Sequence, residues 1–512
     1  MIPTHRVGFG WHGVLLGCGL MAVSASARAA TEPFAALVLR PGERQLFLDD
    51  FILGDLDRVT RVIHQPRKFE GNPILRPDRP TDGATIQLRD APSWDEREGV
   101  WKLWYYRMGD DGNGAGGCGY ARSKDGIQWE KPNLGLVESH GNRNNNLTLV
   151  KGDPKAFIQH VIIDPNAPPE RRYKGMIGPN GRKPLISSDG FVFTPLDVPA
   201  IPSEDESHLN WDERGKQYIL TVKHNGPFGR SVYLSLSKDY EHWSDPELIY
   251  HADAQDQVLG TQYLRAVASD PSLWRPTINH PSEYNVEIYN MAVFPYEGLY
   301  IGLPNYFESS GRIPPPRGNQ DGINSPKLAC SRNLVAWTRV GDRSHFIPIS
   351  PVGPGVLDTG QIMASSRPIR RGDELWFYYS GLDVRHRPNI PRVRDEYRGA
   401  ICVAKLRVDG FVSLRAGSDG GLIETRPVVL DGGRLYVNAA AGAGEIRAEI
   451  TERDGRTVVP GWSFEQCTAV TGDRVRVELR WAGRDLAELR DRRVRIRFRL
   501  KHADLYSFWL ER

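Results

Sequence analysis

One turn recurs along this chain and constrains the fold more than any other feature. Ser123-Lys-Asp-Gly-Ile-Gln-Trp129 returns as Ser187-Ser-Asp-Gly-Phe-Val-Phe193, Ser237-Lys-Asp-Tyr-Glu-His-Trp243 and Ser331-Arg-Asn-Leu-Val-Ala-Trp337, and more loosely as Arg407-Val-Asp-Gly-Phe411. Asp and Asn favour such turns because their side chains bond nearby backbone amides and tolerate unusual dihedrals. The aromatic that follows can drop onto a neighbouring sheet and bury a large area. Five copies at wide spacing describe a repeat rather than a single hairpin.

The segments leading to each turn share one plan: strand, turn, aromatic-rich strand, loop, strand. The second strands read Val100-Trp-Lys-Leu-Trp-Tyr-Tyr106, Tyr173-Lys-Gly-Met-Ile177, Lys216-Gln-Tyr-Ile-Leu-Thr-Val222, Gly298-Leu-Tyr-Ile-Gly-Leu303 and Glu374-Leu-Trp-Phe-Tyr-Tyr-Ser380. Repeated meanders of this kind build the blades of a β-propeller. A two-sheet sandwich also has many short strands, but it has no reason to repeat turn chemistry in register. The expected fold is therefore all-β: a five-bladed β-propeller over residues 30–414, with long insertions at 253–284 and 305–325 shaping a cleft. Beyond Leu414, after the linker-like Ala416-Gly-Ser-Asp-Gly-Gly421, charged and apolar residues alternate, as in Val494-Arg-Ile-Arg-Phe-Arg-Leu500. That alternation predicts a C-terminal β-sandwich over 415–512, with one helical turn at 485–489.

Composition narrows the function. A formal charge of +3 in 512 residues gives no support to nucleic-acid binding. Arg6, the apolar run Val14 to Val23 and the small residues Ala25-Ser-Ala27 and Ala27-Arg-Ala29 read as a signal peptide over 1–29, implying a periplasmic or secreted protein. Leu15-Leu-Gly-Cys18 is a weak match to a lipoprotein box, and no other segment is apolar and long enough to span a membrane as a helix. Cys118, Cys330, Cys402 and Cys467 are scattered and read as small buried hydrophobes.

No phosphate loop, Gly-x-Ser-x-Gly elbow or His-Glu-x-x-His motif occurs. What remains is a set of carboxylates on or near the first strands of the units, which in a propeller line the central channel: Asp90, Asp205, Glu206 and Glu287. A facing pair of this kind is what glycosidic cleavage needs, one protonating the leaving oxygen and the other activating water or attacking. Counted from the aromatic that ends each strand (Trp94, Trp211, Phe294), Asp90 and Asp205 fall at even positions and Glu206 and Glu287 at odd ones. Regular strands cannot aim all four inward. Blade two carries Gln159 and His160 at this level. His64, Arg76, Arg79, Arg89, His208, His224, Tyr289 and Asp358 are candidates for binding substrate, the Arg and His residues suiting a uronate or sulfate or else neutralising the carboxylates.

Residues 45 to 414 resemble the five-bladed propeller glycosidases, the arabinanase–xylosidase and invertase-like group. The resemblance rests on the Ser-x-Asp-x-x-x-Trp turns, on Gly71-Asn-Pro-Ile-Leu75, and on strands such as Trp104-Tyr-Tyr106 and Phe377-Tyr-Tyr379. It implies Asp90 as base or nucleophile, Glu206 or Glu287 as acid and Asp205 as the residue that tunes the acid. Arg89-Asp-Ala-Pro92 departs from the group's Asn-Asp-Pro and Arg-Asp-Pro signatures. The expected function is an exported glycoside hydrolase acting on a poly- or oligosaccharide with no catalytic cofactor, a structural calcium in the channel being the one ion considered. The alternatives are a non-catalytic carbohydrate-binding surface protein and a propeller polysaccharide lyase using His64 or Tyr289 as base.

Overall fold

Four of the five turn copies are built alike. In the computed structural model, which describes residues 37–108, 118–315, 318–386 and 398–512, Asp125 Oδ1 accepts from the Ile127 and Gln128 amides, each at 2.8 Å. Asp189 holds Phe191 and Val192, Asp239 holds Glu241 and His242, and Asn333 holds Val335 and Ala336 in the same way. The preceding Ser hydroxyl accepts from the third amide of the turn in the first three copies. The residue after each Asp or Asn lies in the left-handed region: Gly126 (φ 81°), Gly190 (φ 80°), Tyr240 (φ 72°) and Leu334 (φ 70°). The fifth copy differs. Asp409 is buried and takes bonds from Arg44, Tyr296 and Ser507, so it ties elements together instead of shaping a turn.

The chain is mostly β. The units meet through these turns, each docking on the unit before it. Trp104 of unit one donates to the Gly190 carbonyl (2.8 Å), and Tyr240 donates to the Gly175 carbonyl of unit two (2.6 Å). Leu334 joins a buried cluster with Ile219, Val232 and Leu234 of unit three. The turn of unit one receives Tyr378 of unit five, whose hydroxyl donates to the Gly126 carbonyl at 2.9 Å. A second series of links runs alongside: Tyr173 donates to Asp95, Tyr218 to Asp164 and Tyr300 to Asp212, each joining one unit to the next. Burial and the carboxylate hydrogen bond push the Tyr300 hydroxyl up to about 12, so it stays a donor. Between units five and one a cation takes this place, with the Arg371 guanidinium 5.4 Å from the Trp101 ring.

Units two and three form separate sheets of five and four strands, whereas units four, five and one share a path of hydrogen-bonded strands. That path is continuous only through the single pairs Asn324–Gln361 and Gly399–Thr85. Unit five borrows an outer strand from near the start of the chain: Arg67–Lys68 pairs antiparallel with Ala404 and Lys405. The Asn72 side chain extends this edge, its amide donating to the Val403 carbonyl and accepting from the Val403 amide, both at 2.9 Å. The segment Gly71-Asn-Pro-Ile-Leu75 therefore supports an edge, with Leu75 bridged to Ile401.

The remaining strands make an eleven-stranded sheet. Its C-terminal members show the expected alternation, with Val494, Ile496, Phe498 and Leu500 buried along Arg493–Lys501. Four N-terminal strands between 37 and 63 join this sheet rather than a blade; Thr60–Ile63, for example, pairs with Val412–Arg415. One buried cluster contains Phe294, Phe377, Phe411, Val437 and Phe498 together. The expected boundary at 414 thus cuts through both a sheet and a core, and Ala36–Arg512 forms one compact unit. The expected signal segment 1–29, with Cys18, lies outside the described residues.

The 253–284 insertion contains the single α-helix of the described residues, Ala254–Ser269, which the sequence reading did not anticipate. Asp253 caps it by accepting from the Asp256 amide, and Asp256, Gly260, Leu264 and Val267 form its buried stripe. The turn at 485–489 is present as a 3-10 turn, Leu486–Leu489, capped by Asp485. Cys118, Cys330, Cys402 and Cys467 are free and buried. No helix of the described residues is long and apolar enough to cross a membrane.

Candidate active site

The first strands of the five units approach one another. Asn210 donates to the carbonyls of Val293 (2.7 Å) and Ser366 (2.6 Å), linking units three, four and five. The Ala91 amide donates to Ser366 Oγ, and His208 Nδ1 donates to the Arg89 carbonyl at 3.0 Å. At one end of this meeting point lies a cavity of about 540 Å³. Its wall takes Gln87 and Arg89 from unit one, Phe157 and Gln159 from unit two, and Tyr289, Gln361 and Met363 from units four and five. Asp205 and Glu206, just before the first strand of unit three, contribute the carboxylates.

Glu206 is held by Arg89 through two bonds of 2.6 Å, Nε to Oε2 and Nη2 to Oε1, and by Asn290 at 3.2 Å. Both partners of the pair are buried. Burial alone would raise this carboxyl, but the adjoining guanidinium outweighs it and holds Glu206 at about 2. Glu206 is a carboxylate with both oxygens engaged, unsuited to donating a proton. Asp205 is about half exposed and pairs with Lys223. The Lys223 ammonium also sits 4.2 Å from the centre of the Tyr289 ring. Tyr106 donates to Gln87 at 2.8 Å, and Arg89 lies 4.9 Å from the Tyr106 ring. Burial pushes the Tyr106 and Tyr289 hydroxyls up, so both remain protonated donors at neutral pH.

Four of the residues singled out from sequence line this cavity: Arg89, Asp205, Glu206 and Tyr289. The others lie elsewhere. Asp90 is buried outside the cavity wall, accepting from His160 Nδ1 (2.9 Å) and the Val161 amide (2.8 Å). It follows Arg89 at a bend just past the strand Thr85–Gln87, where Arg89 faces the cavity and Asp90 turns to His160. Glu287 pairs with Arg230 away from the cavity wall. His208 is buried beneath Arg89; burial and that positive charge lower it to about 3, so the ring is neutral. Asp358 is bound by Lys68 and Tyr379, and His64 packs on Ser413 and Tyr506 at the eleven-stranded sheet. Arg79 bonds the Lys131 carbonyl, and Arg76 accepts Lys131 through its own carbonyl. His224 packs edge-on to Tyr233.

The sequence reading missed Tyr106, Arg107, Arg385, His386 and Arg398 as wall residues, and treated Gln159 as a gap in the carboxylate pattern. Period-two alternation gives Thr85, Gln87 and Arg89, and also Gln361 and Met363. Phe157 and Gln159 keep the same spacing, and Gln159 shares a second feature with Tyr289. Each is the extra residue at a register shift, between Ile158 and His160 and between Ile288 and Asn290. Such bulges re-aim side chains, and here two of them feed one cavity. Among the described residues no group of three or more His, Cys, Asp or Glu side chains is placed to hold a metal ion.

No family model matches the chain, and no curated protein matches it. Among solved structures it is similar to an N-acetylgalactosamine deacetylase from F. plautii in complex with blood group B trisaccharide, with a TM-score of 0.37 and 14% identity over 72% of this chain and 95% of that one. It is also similar to the catalytic domain of a Coprinopsis cinerea GH62 α-L-arabinofuranosidase (TM-score 0.39, 13% identity, 67% and 98% covered). A third likeness is to an exo-β-1,3-galactanase from Phanerochaete chrysosporium (TM-score 0.33, 10% identity, 88% and 99% covered). These solved neighbours include glycoside hydrolases, the class that the turns and aromatic strands resemble.

Proposed function

We propose that the five units close into a five-bladed propeller, backed by a C-terminal sandwich that includes the N-terminal strands, and that the protein cleaves glycosidic bonds in the cavity at the propeller axis. The observation that carries this reading is that Asp205 and Glu206 open on one cavity walled by several units and by Tyr106 and Tyr289. The closed ring is supported by the turn of unit one receiving Tyr378 of unit five. Asp205, the more exposed carboxylate with a single cationic partner, is the proton-transfer group. Glu206 stays ionised and fixes the Arg89 guanidinium in the cavity wall, a positioning role beside the proton-transfer group. Asp90 supports the site from behind through His160.

The test is release of reducing sugar from a panel of poly- and oligosaccharides. Asp205→Asn is expected to reduce the rate at least 100-fold while the unfolding temperature stays within a few degrees. Turnover at the wild-type rate in Asp205→Asn and Glu206→Gln would overturn the assignment.

A second reading, a carbohydrate-binding protein without turnover, is favoured by one observation: both oxygens of Glu206 are already bonded to Arg89. Retention on a polysaccharide column with no product released would select it. We also propose that residues 1–29 direct export. The protein recovered from the periplasm or medium of a bacterial host is then expected to lack them by intact mass, and full-length mass there would refute it.

A further inference from the structure

The cavity wall divides by chemistry. Gln87 and Arg89 of unit one, Gln159 of unit two, and Asp205 and Glu206 ahead of unit three bring hydrogen-bonding groups. On the side of units four and five, Tyr289, Met363, Leu382 and Val384 form an apolar corner. These four pack as one cluster with the buried Phe307, and Val384 is half-buried at its edge. Tyr289 brings a ring; Met363, Leu382 and Val384 bring only aliphatic surface. The one weak acceptor among those three, Met363 Sδ, is taken by the Asn305 side-chain amide. Three polar neighbours of the corner are bonded within the protein. Gln361, the cross-strand partner of Leu382, accepts from Asn324 at 2.8 Å and donates to the Val384 carbonyl at 2.9 Å. Arg385 donates to Asp321 (2.6 Å) and Ser310 (2.9 Å), and His386 bonds the Gln320 carbonyl (3.1 Å).

A sugar hydroxyl pressed against Met363, Leu382 and Val384 would give up its water and gain no partner there. A methyl group in the same place would leave water at a gain, and the unbranched Met363 can adapt to its shape. Aromatic rings take the C–H face of a pyranose, but aliphatic side chains offer no π face and suit an alkyl group. Resting on the reading of this cavity as the substrate site, we infer that its saccharide carries a methyl group received by Met363, Leu382 and Val384. Two kinds of sugar supply one: a 6-deoxyhexose through C6, and an acetylated sugar through its acyl group. The hydroxyls of the same sugar then meet the amides and charged groups of units one to three.

The experiment is calorimetric binding to the full chain with matched pairs that differ only in the methyl-bearing group. Three pairs are glycosides of L-fucose and L-galactose, D-fucose and D-galactose, and L-rhamnose and L-mannose. The fourth is an acetylated xylo-oligosaccharide and its deacetylated form. At least one methyl-bearing member is expected to bind about 10-fold more tightly than its counterpart. The pair that shows the preference identifies 6-deoxyhexose or acetyl. Val384→Thr keeps the side-chain shape but puts a hydroxyl in place of a methyl, and Val384→Ala removes the contact; the site is half-buried, so both are expected to fold. Val384→Thr is expected to narrow the preference by helping the hydroxylated member, and Val384→Ala by weakening the methyl-bearing one. Equal affinity within all four pairs, no binding to any member, or a preference untouched in both variants would overturn the inference. A methyl-bearing ligand bound with that preference but never cleaved would uphold it and overturn hydrolysis. Cleavage of saccharides without any methyl preference would do the reverse.

Discussion

Gly126 and Gly190 occupy the left-handed position of their turns, where Tyr240 and Leu334 stand in other copies. The difference follows from what each turn meets. A Cβ on Gly190 would lie 2.9 Å from the Trp104 and Tyr173 rings, and one on Gly126 would lie 2.6 Å from the Tyr378 hydroxyl. Gly190→Ala therefore combines backbone strain with overpacking and is expected to cost about 2–4 kcal/mol in urea unfolding. Gly135→Ala, with φ of 67° and nothing within 4 Å, isolates the strain and is expected to cost about 1 kcal/mol. At the cavity, Glu206→Gln leaves Arg89 buried without its counter-charge, an expected loss of about 3–5 kcal/mol, whereas replacing both by Met is expected to cost less than that single change. The pH dependence has a definite sign. Glu206 sits at about 2 in the folded protein, against about 4.3 for an unfolded Glu. Its contribution is therefore complete above about pH 5 and fades as pH falls toward 2. The urea midpoints of the wild type and the double Met variant are expected to converge between pH 5 and pH 3, and a constant gap would contradict the pairing. The turns were legible in sequence because a Ser hydroxyl and an Asp carboxylate act on amides two and three residues away. Tyr289 was named from the sequence, but the register shifts at Tyr289 and Gln159 were not legible, because a bulge depends on the partner strand.

Among the elements, the edge of unit five shows how far sequence patterns reach. The strand Gly399–Arg407 reads clearly as a strand, but nothing near it signals that Arg67–Lys68 will lie alongside, because the pairing joins residues far apart in the chain. Asn72 makes that pairing specific by matching both polar groups of the Val403 backbone. Asn72→Ala is expected to cost about 1–3 kcal/mol and to speed hydrogen exchange at the Val403 amide, while the amides of unit two keep their protection. Helix Ala254–Ser269 carries its Asp253 cap in the sequence, but its buried stripe is Asp256, Gly260, Leu264 and Val267, only two of them large and apolar, so the helical period is faint. Glu287 pairs with Arg230 and is not among the residues that line the cavity, whereas Tyr289, two positions on and at a register shift, is.

For the whole molecule, the repeat predicted units and their order, while the joining of the two ends of the described chain came only from the structure. The N-terminal strands join the C-terminal sheet, and one core runs from Phe294 and Phe377 to Phe498. A fragment ending at residue 414 would expose the apolar faces of Phe411, Leu414 and Phe294. It is expected to bind a hydrophobic dye and to lose the cooperative unfolding transition of the full chain. A soluble, cooperatively unfolding fragment would show that the units stand without the sheet.

The borrowed strand of unit five also orders events during synthesis. Arg67 and Lys68 leave the ribosome more than three hundred residues before their partners Lys405 and Ala404. Until then the earliest strands have no ladder to join, and the last unit has an open flank. Units two and three, whose sheets are self-contained, can settle while the chain is still growing, but the first and last parts must wait for each other. Any factor that shields a nascent chain would be needed longest at the segments made first.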